Sequence, residues 1–153
     1  MVATQIILAV VLANLNEWLA HRYVLHWLGK SKTNFFHFHW VHHRNCRKAG
    51  NYDADYEKLL PVSKEMWSLL LLFFAYVPLL WFYPIFVMTL AVHAVVYYFV
   101  HRHAHLNVEW GKRWLPWHYD HHMGKDQDTN WCVLFPLWDY VLVTRKKYFR
   151  ERT

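Results

Sequence analysis

The sequence predicts an all-α integral membrane protein with about three transmembrane helices and further helices at the membrane interface. Hydrophobic residues make up 56% of the 153-residue chain and aromatic residues 20%. Residues 1–16 and 66–100 contain no Asp, Glu, Lys or Arg. About 20 apolar residues span the roughly 30 Å of hydrocarbon in a bilayer. The first stretch therefore predicts one membrane helix, and the second is long enough for two somewhat short crossings.

The first helix is predicted to cover residues 2–27 as one continuous element. Gly29, followed by Lys30 and Lys32, predicts its end. The first five residues contain neither the basic segment nor the small-residue cleavage site of a secretory signal. We therefore expect this helix to be retained.

The second uncharged stretch is predicted to form a tight helical hairpin. It is interrupted by Pro78 and Pro84, and aromatic residues occupy positions 81–83. Proline disfavours helix in the residue before it, so we expect the turn near Tyr83. Trp and Tyr collect at membrane interfaces, which places this turn at the far side of the bilayer. Residues 30–65 are polar and predict a loop with short helices outside the membrane.

The charge distribution predicts the orientation of the chain. All 17 Lys and Arg lie outside the two uncharged stretches. By the positive-inside rule we expect the amino terminus outside the cytoplasm, and the histidines and carboxyl terminus in the cytoplasm. The net charge of +6 comes without a recognisable nucleic-acid-binding module, so we expect contacts with membrane surface or acidic partners and no nucleic acid. Residues 131–143 are too short to cross and contain Pro136, which predicts an interfacial or re-entrant segment.

The length and the cysteine content are both informative. A chain of this size is predicted to form a single membrane domain, residues 1–153. Cys46 and Cys132 are far apart and form no C-x-x-C motif. Free thiols in a reducing compartment are expected, and a disulfide or a zinc ribbon is not.

Histidine spacing is the strongest functional signal in the sequence. Two pentads, H-W-V-H-H at residues 39–43 and H-Y-D-H-H at residues 118–122, repeat one spacing. Residues i, i+3 and i+4 share one face of a helix, so each pentad presents three imidazoles in one direction. Two histidine pairs at the ends of apolar runs bring the candidate metal ligands to ten. These are His21, His26, His39, His42, His43, His101, His105, His118, His121 and His122.

Ten imidazoles are too many for one ion with four to six ligands, so the sequence predicts two metal ions. His101 and His105, four residues apart, share a helix face and could grip one ion or bridge both. His21 and His26, five residues apart, point about 140° apart on an ideal α-helix. One of that pair must reach across, or the helix must unwind there.

Other polar residues carry weaker predictions. Glu17, in the first helix, is expected either to pair with Arg22 or water or to accept a hydrogen bond from a ligand imidazole. His93, within an apolar run, is expected to be a hydrogen-bonded core residue, with orientation of a ligand as the alternative. His37 and His103 do not share the spacing of the other histidines and are expected to face solvent or to support ligands.

The order of the four histidine motifs, H-x4-H, H-x2-H-H, H-x3-H and H-x2-H-H, resembles the fatty acid hydroxylase and sterol desaturase superfamily. The sequences G-K-D-Q-D-T-N-W at residues 124–131 and F-P-L-W-D at residues 135–139 are also similar to that family. The resemblance covers residues 17–144. It implies an integral-membrane, non-haem di-iron oxygenase with a cytosolic histidine cap. Such an enzyme uses O2 and external electrons to hydroxylate or desaturate a C–H bond of a fatty acyl chain, sphingolipid or sterol.

The resemblance also implies cofactors, partners and supporting residues. The ten histidines would hold two iron ions, which zinc could replace in purified protein, and O2 would be the co-substrate. The electron donor would be cytochrome b5-like or a ferredoxin with its reductase. Asn130 and Asp139 match positions in the family's tail and would orient ligands, although Asp139 could instead cap a local turn. Homo-oligomerisation could supply contacts that this small scaffold lacks.

Three other functions stay open at this point. A β-carotene ring hydroxylase has the same four motifs in a compact chain. A bis-imidazole haem protein would need histidine pairs on facing helices instead of H-x2-H-H motifs. A non-catalytic metal-binding or metal-transporting protein would place its ligands near the membrane midplane. The location of the histidines at one end of the helices favours an enzyme.

Overall fold

The computed structural model describes residues 1–58 and 64–149, in which helices are joined by short connections and no strand occurs. The α-helices are α1 (Val2–Leu19), α2 (Phe38–Lys48), α3 (Lys64–Tyr76), α4 (Pro84–Leu106), α5 (Val108–Trp114), α6 (Pro116–Met123) and α7 (Leu137–Val141). A π-helix (Ala20–Trp27) and a 3-10 turn (Leu28–Lys30) extend α1, and further 3-10 turns cover Phe35–His37, Ala54–Glu57 and Val77–Trp81. The predicted all-α fold class is confirmed.

Three helical segments are long and apolar enough to cross a membrane: Val2–Lys30, Lys64–Trp81 and Pro84–Leu106. Large apolar side chains on these segments, such as Leu71 and Val95, are exposed. Apolar surface of this extent is stable when its solvent is lipid and not water. The predicted three spans are confirmed, and so is the hairpin turn before Pro84. Residues 59–63 of the predicted outer loop lie outside the described residues.

Small side chains bring α1 and α4 together inside the membrane segment. Ala9 and Ala13 are buried against Leu90. Small residues let two membrane helices approach closely, which increases their van der Waals contact. At the far end, the Gln5 side chain accepts a hydrogen bond of 3.2 Å from the backbone N–H of Phe86, in the first turn of α4. This contact satisfies an N–H group that lacks a partner within the helix.

The first membrane helix changes from α to π geometry where its two histidines lie. The π-helix covers Ala20–Trp27. Its hydrogen bonds join residues i and i+5, so side chains five residues apart lie closer to one face than they do in an α-helix. The rings of His21 and His26 consequently point the same way, with centroids 5.2 Å apart. The unwinding expected from their spacing is therefore a change of helix type.

The segment after α6 folds back along α1. Trp138, on α7, donates from Nε1 to the carbonyl oxygen of Val11 at 3.0 Å. The side-chain amide of Asn14 donates to the carbonyl oxygen of Phe135 at 2.9 Å. These contacts fix residues 131–143 against the same helix that carries the first two histidines.

Candidate metal centre

All ten predicted ligands are buried where the ends of the π-helix and α4 meet α2 and α6. Their exposed fractions lie between 0% and 8%. They form two groups of five, which we name site A and site B. Site A contains His21, His26, His39, His43 and His121. Site B contains the other five, His42, His101, His105, His118 and His122, which fall into two overlapping groups that share His105 and His122.

Each pentad contributes to both sites. The middle histidine of the α2 pentad, His42, belongs to site B, and the middle histidine of the α6 pentad, His121, belongs to site A. The other two histidines of the α2 pentad belong to site A, and the other two of the α6 pentad belong to site B. Adjacent helical residues diverge by about 100°, which separates the middle and last histidines. The π-helix pair completes site A, and the α4 pair completes site B.

The imidazole nitrogens of site A converge. His39 Nε2 lies 2.9 Å from His21 Nε2 and 3.0 Å from His43 Nε2. His43 Nε2 also lies 3.2 Å from His26 Nε2 and 3.1 Å from His121 Nε2. Ligands bound at right angles at the usual 2.0–2.1 Å are separated by about 3 Å, so these distances fit a single transition-metal ion.

Site B has the same form. His105 Nε2 lies 3.0 Å from His118 Nε2 and 3.2 Å from His101 Nε2. The His122 ring centroid lies 4.6 Å from those of both His105 and His118. The two sites adjoin through the stacked rings of His43 and His122, whose centroids are 4.2 Å apart.

The donor set fits metal ions on two further grounds. Both ring nitrogens of His122 and Nδ1 of His118 are buried without a hydrogen-bond partner among the described residues. Burial penalises the charged imidazolium, and neighbouring imidazoles add to this, so the pKa values of His43 and His122 are well below the usual range. These two imidazoles are therefore neutral, which is the form that binds metal.

The loop after α6 supplies partners to four of the five imidazoles of site A. The contacts are His21 Nδ1 with Trp131 O (2.6 Å), His26 Nδ1 with Asp128 Oδ1 (3.2 Å), His43 Nδ1 with the Gln127 side-chain amide (2.5 Å) and His121 Nδ1 with Thr129 O (2.6 Å). Because a carbonyl oxygen only accepts, two of these rings carry their hydrogen on Nδ1. They direct the lone pair of Nε2 into the site.

The partners of site B come from the segment between α2 and α3 and from the start of α3. The contacts are His42 Nδ1 with Asp53 Oδ2 (2.6 Å), His101 Nδ1 with Glu65 Oε1 (2.7 Å) and His105 Nδ1 with Asn51 O (2.8 Å). Sequence reasoning missed Asp53 and Glu65, which lie 11 and 36 residues from the histidines they contact. Their only signal was their place in a mixed-charge stretch between two histidine motifs.

Glu17 and His93 bind each other and not the ten histidines. The Glu17 carboxylate accepts from His93 Nε2 at 2.7 Å and from the backbone N–H of Val133 at 2.9 Å. Glu17 thus accepts from an imidazole, as one expectation had it, but the imidazole is that of His93 and not of a predicted ligand. His93 is a hydrogen-bonded core residue because it is the partner that a carboxylate inside an apolar helix requires.

Asn130 and Asp139 act on the loop and touch none of the ten rings. Asn130 has a left-handed backbone conformation with φ of 59°, which asparagine tolerates, between the two carbonyl groups that orient site A. Asp139 accepts from the backbone N–H groups of Trp131 and Cys132 at 2.8 and 2.9 Å. Asp139 therefore caps the turn, and its influence on His21 runs through the carbonyl of Trp131.

The remaining histidines and cysteines lie outside the two sites as defined. His37 donates from Nδ1 to the carbonyl oxygen of Gly29 at 2.9 Å, and exposed His103 packs on Trp110. Cys46 and Cys132 are free and buried. The Cys46 sulfur lies 3.4 Å from His105 Nδ1, and as a candidate ligand atom it lies within 4.8 Å of those of His42, His105 and His122. Burial raises the pKa of the Cys46 thiol in the absence of metal.

An apolar cavity of about 460 Å³ leads from the membrane helices to site A. Side chains of α1, α3 and α4 line it, including Leu72, Leu90 and Ala94, and His21 and Trp131 lie in its wall. A cavity of this size and lining suits a hydrocarbon chain.

The comparisons with known proteins agree with this geometry. The model of the fatty acid hydroxylase family matches residues 6–144. No curated protein and no solved structure matches the chain significantly. The match covers most of the chain, including all four histidine motifs and the loop that orients site A. This chain therefore belongs to the fatty acid hydroxylase family.

Proposed function

We propose that this protein is a membrane-bound, non-haem di-iron oxygenase that uses O2 and external electrons to hydroxylate or desaturate a C–H bond of a lipid. The observation that carries the proposal is the pair of buried five-imidazole sites, one of which adjoins an apolar cavity between membrane helices. Bound in these sites, two iron ions would supply the activation of O2 and the oxidation of the C–H bond. Imidazoles add no negative charge, so the sites favour anionic oxygen ligands.

The chain's own residues bind the lipid and keep water from the site. The cavity between α1, α3 and α4 opens toward hydrocarbon, so an acyl chain or a sterol can enter it from the bilayer. Several polar groups in its lining are already paired, since Asn16 donates to the Tyr76 hydroxyl at 2.8 Å and Glu17 binds His93. An apolar substrate therefore leaves these groups with the partners they already have.

The proposal includes an orientation and an electron donor. The histidine sites lie at the basic ends of the helices, which supports a cytoplasmic location by the positive-inside rule. Here a cavity of about 350 Å³ has the charged side chains of Lys30, Arg44 and Arg47 in its lining, and Trp40 and His43 also line it. Such a surface suits an acidic electron carrier that docks close to site A.

We expect Arg44→Glu to slow reduction of the metal centre by an acidic carrier about threefold to tenfold, because rim charges steer encounter. Stopped-flow reduction rates measured over a range of ionic strengths would report this effect. Arg44→Lys keeps the charge and is expected to retain the rate. A rate and salt dependence unchanged in Arg44→Glu would place the docking surface elsewhere.

The proposal is tested by metal analysis of protein purified in mild detergent from iron-supplemented cells. We expect about two irons per chain. The Mössbauer spectrum should change when the reduced protein is exposed to O2. Incubation with lipid extracts, electron donor and labelled O2 would then identify the oxidised product. Zinc that iron cannot replace, or less than one metal per chain, would favour a binding or structural role.

A further inference from the structure

The two sites differ in the charge that lies behind their imidazoles. In site B, the carboxylates of Asp53 and Glu65 contact the Nδ1 atoms of two ligands, and these side chains are only 3% and 12% exposed. In site A, the carboxylate that contacts a ligand is that of Asp128, which is 52% exposed and lies 3.6 Å from the ammonium group of Lys30. Water and Lys30 both reduce the effect of Asp128 on its histidine.

Within the described part of the chain, no Lys or Arg lies within 4.0 Å of either buried carboxylate. Asp53 accepts from the Asn45 amide at 3.3 Å and from the backbone N–H of Asp55 at 3.2 Å. Glu65 accepts from the Tyr56 hydroxyl at 2.7 Å. These donors are neutral, and a buried carboxylate needs a positive charge nearby to offset its desolvation. A cation in site B would supply that charge through the imidazoles.

The other contacts behind site A are neutral. His21 and His121 donate to backbone carbonyl oxygens, and His43 meets a side-chain amide. A carbonyl group orients an imidazole as well as a carboxylate does, but it offers a partial charge instead of a full one. Each site therefore contains five imidazoles, but the charges behind those imidazoles differ between the two sites.

We propose that site B binds its metal ion more tightly than site A because Asp53 and Glu65 place two buried negative charges behind its ligands. The inference rests on the proposed dimetal function. Carboxylate partners make the imidazoles stronger donors, and losing such a partner typically weakens metal binding about 10- to 100-fold. Site B is accordingly filled first and emptied last, and site A holds the exchangeable ion.

The test is a titration of metal-free protein in detergent with Co²⁺ against a competing chelator, followed by absorption. Wild-type protein is expected to bind in two steps whose dissociation constants differ at least tenfold. His121→Ala removes a ligand of site A and should leave the tight step. His42→Ala removes a ligand of site B and should leave only the weak step.

Variants of the partners test the cause. Asp53→Asn and Glu65→Gln, each alone, should weaken the tight step about 10- to 100-fold and leave the weak step unchanged. Asp128→Asn is the matched control, since it makes the same carboxylate-to-amide change behind site A, and it should weaken only the weak step by less than tenfold. His121→Ala and His42→Ala assign each binding step to a site without the partner variants. The affinity order of the two sites can therefore be tested even if a partner variant fails to fold.

Three outcomes would overturn the inference. The first is two steps of equal affinity in the wild type, which would leave the dimetal function intact. The second is loss of the tight step in His121→Ala. The third is an equal effect of Asp53→Asn, Glu65→Gln and Asp128→Asn. Absence of metal binding in the wild type would instead contradict the proposed function itself.

Discussion

Replacing His121 by alanine is expected to abolish activity and to lower the metal content from about two ions per chain to about one. His121 is fully buried, its Nε2 lies 3.1 Å from His43 Nε2, and Thr129 holds its Nδ1. Its removal leaves site A short of one ligand, and the neighbouring rings cannot move into its place without breaking their own contacts. His42→Ala should do the same to site B, because His42 is held by Asp53.

The control for both variants is His103→Ala. His103 lies on the same helix as two ligands of site B, yet it is exposed and packs on Trp110. We expect this variant to retain most of its metal and activity. Elemental analysis and an activity assay on the three variants, purified in parallel, measure both quantities. If all three hold two metals and turn over normally, the ten histidines are not the metal centre.

The spans and the clustering of the histidines could be predicted because they depend on local features of the sequence. The absence of charge over 66–100 indicates membrane helices whatever the rest of the chain does. The H-x2-H-H spacing directs imidazoles to one side of any helix that carries it. The division into sites A and B could not be predicted in the same way. The division depends on how the four helix ends pack together. The π-helix that aligns His21 with His26 also changes which histidines lie close to one another.

The residues that orient the ligands were harder to predict because their contacts are long-range. Asp53 and Glu65 have no fixed spacing to His42 and His101, so no sequence pattern joins them. Glu17 was singled out since a carboxylate in an apolar helix needs a partner, and this reasoning was sound. The partner, His93, lies 76 residues away on α4, and only the packing of α1 against α4 brings the two together.

Asp120 is a further residue whose role appears only in the structure. It lies on α6 between two predicted ligands, and the sequence alone would suggest that its carboxylate faces solvent. Its Oδ2 atom accepts from the guanidinium of Arg145 at 2.9 Å, and both side chains are buried. Its Oδ1 atom accepts from the backbone N–H groups of Tyr148 and Phe149 at 3.2 and 3.1 Å. One carboxylate thus ties residues 145–149 to the helix that serves both metal sites.

We expect Asp120→Ala to lower the free energy of unfolding by about 3–5 kcal/mol, because it leaves the buried charge of Arg145 without its carboxylate. For a chain of this size that corresponds to a fall of roughly 6–20 °C in melting temperature. The measurement is made on metal-free protein in detergent, so that loss of metal does not contribute. Glu109→Ala is the matched control, because it breaks the exposed ion pair with Lys112 and should change little. Adding Arg145→Met to Asp120→Ala should restore part of the loss, since it removes the unpaired buried charge. If Asp120→Ala has the same melting temperature as Glu109→Ala, residues 145–149 are held to α6 by their other contacts.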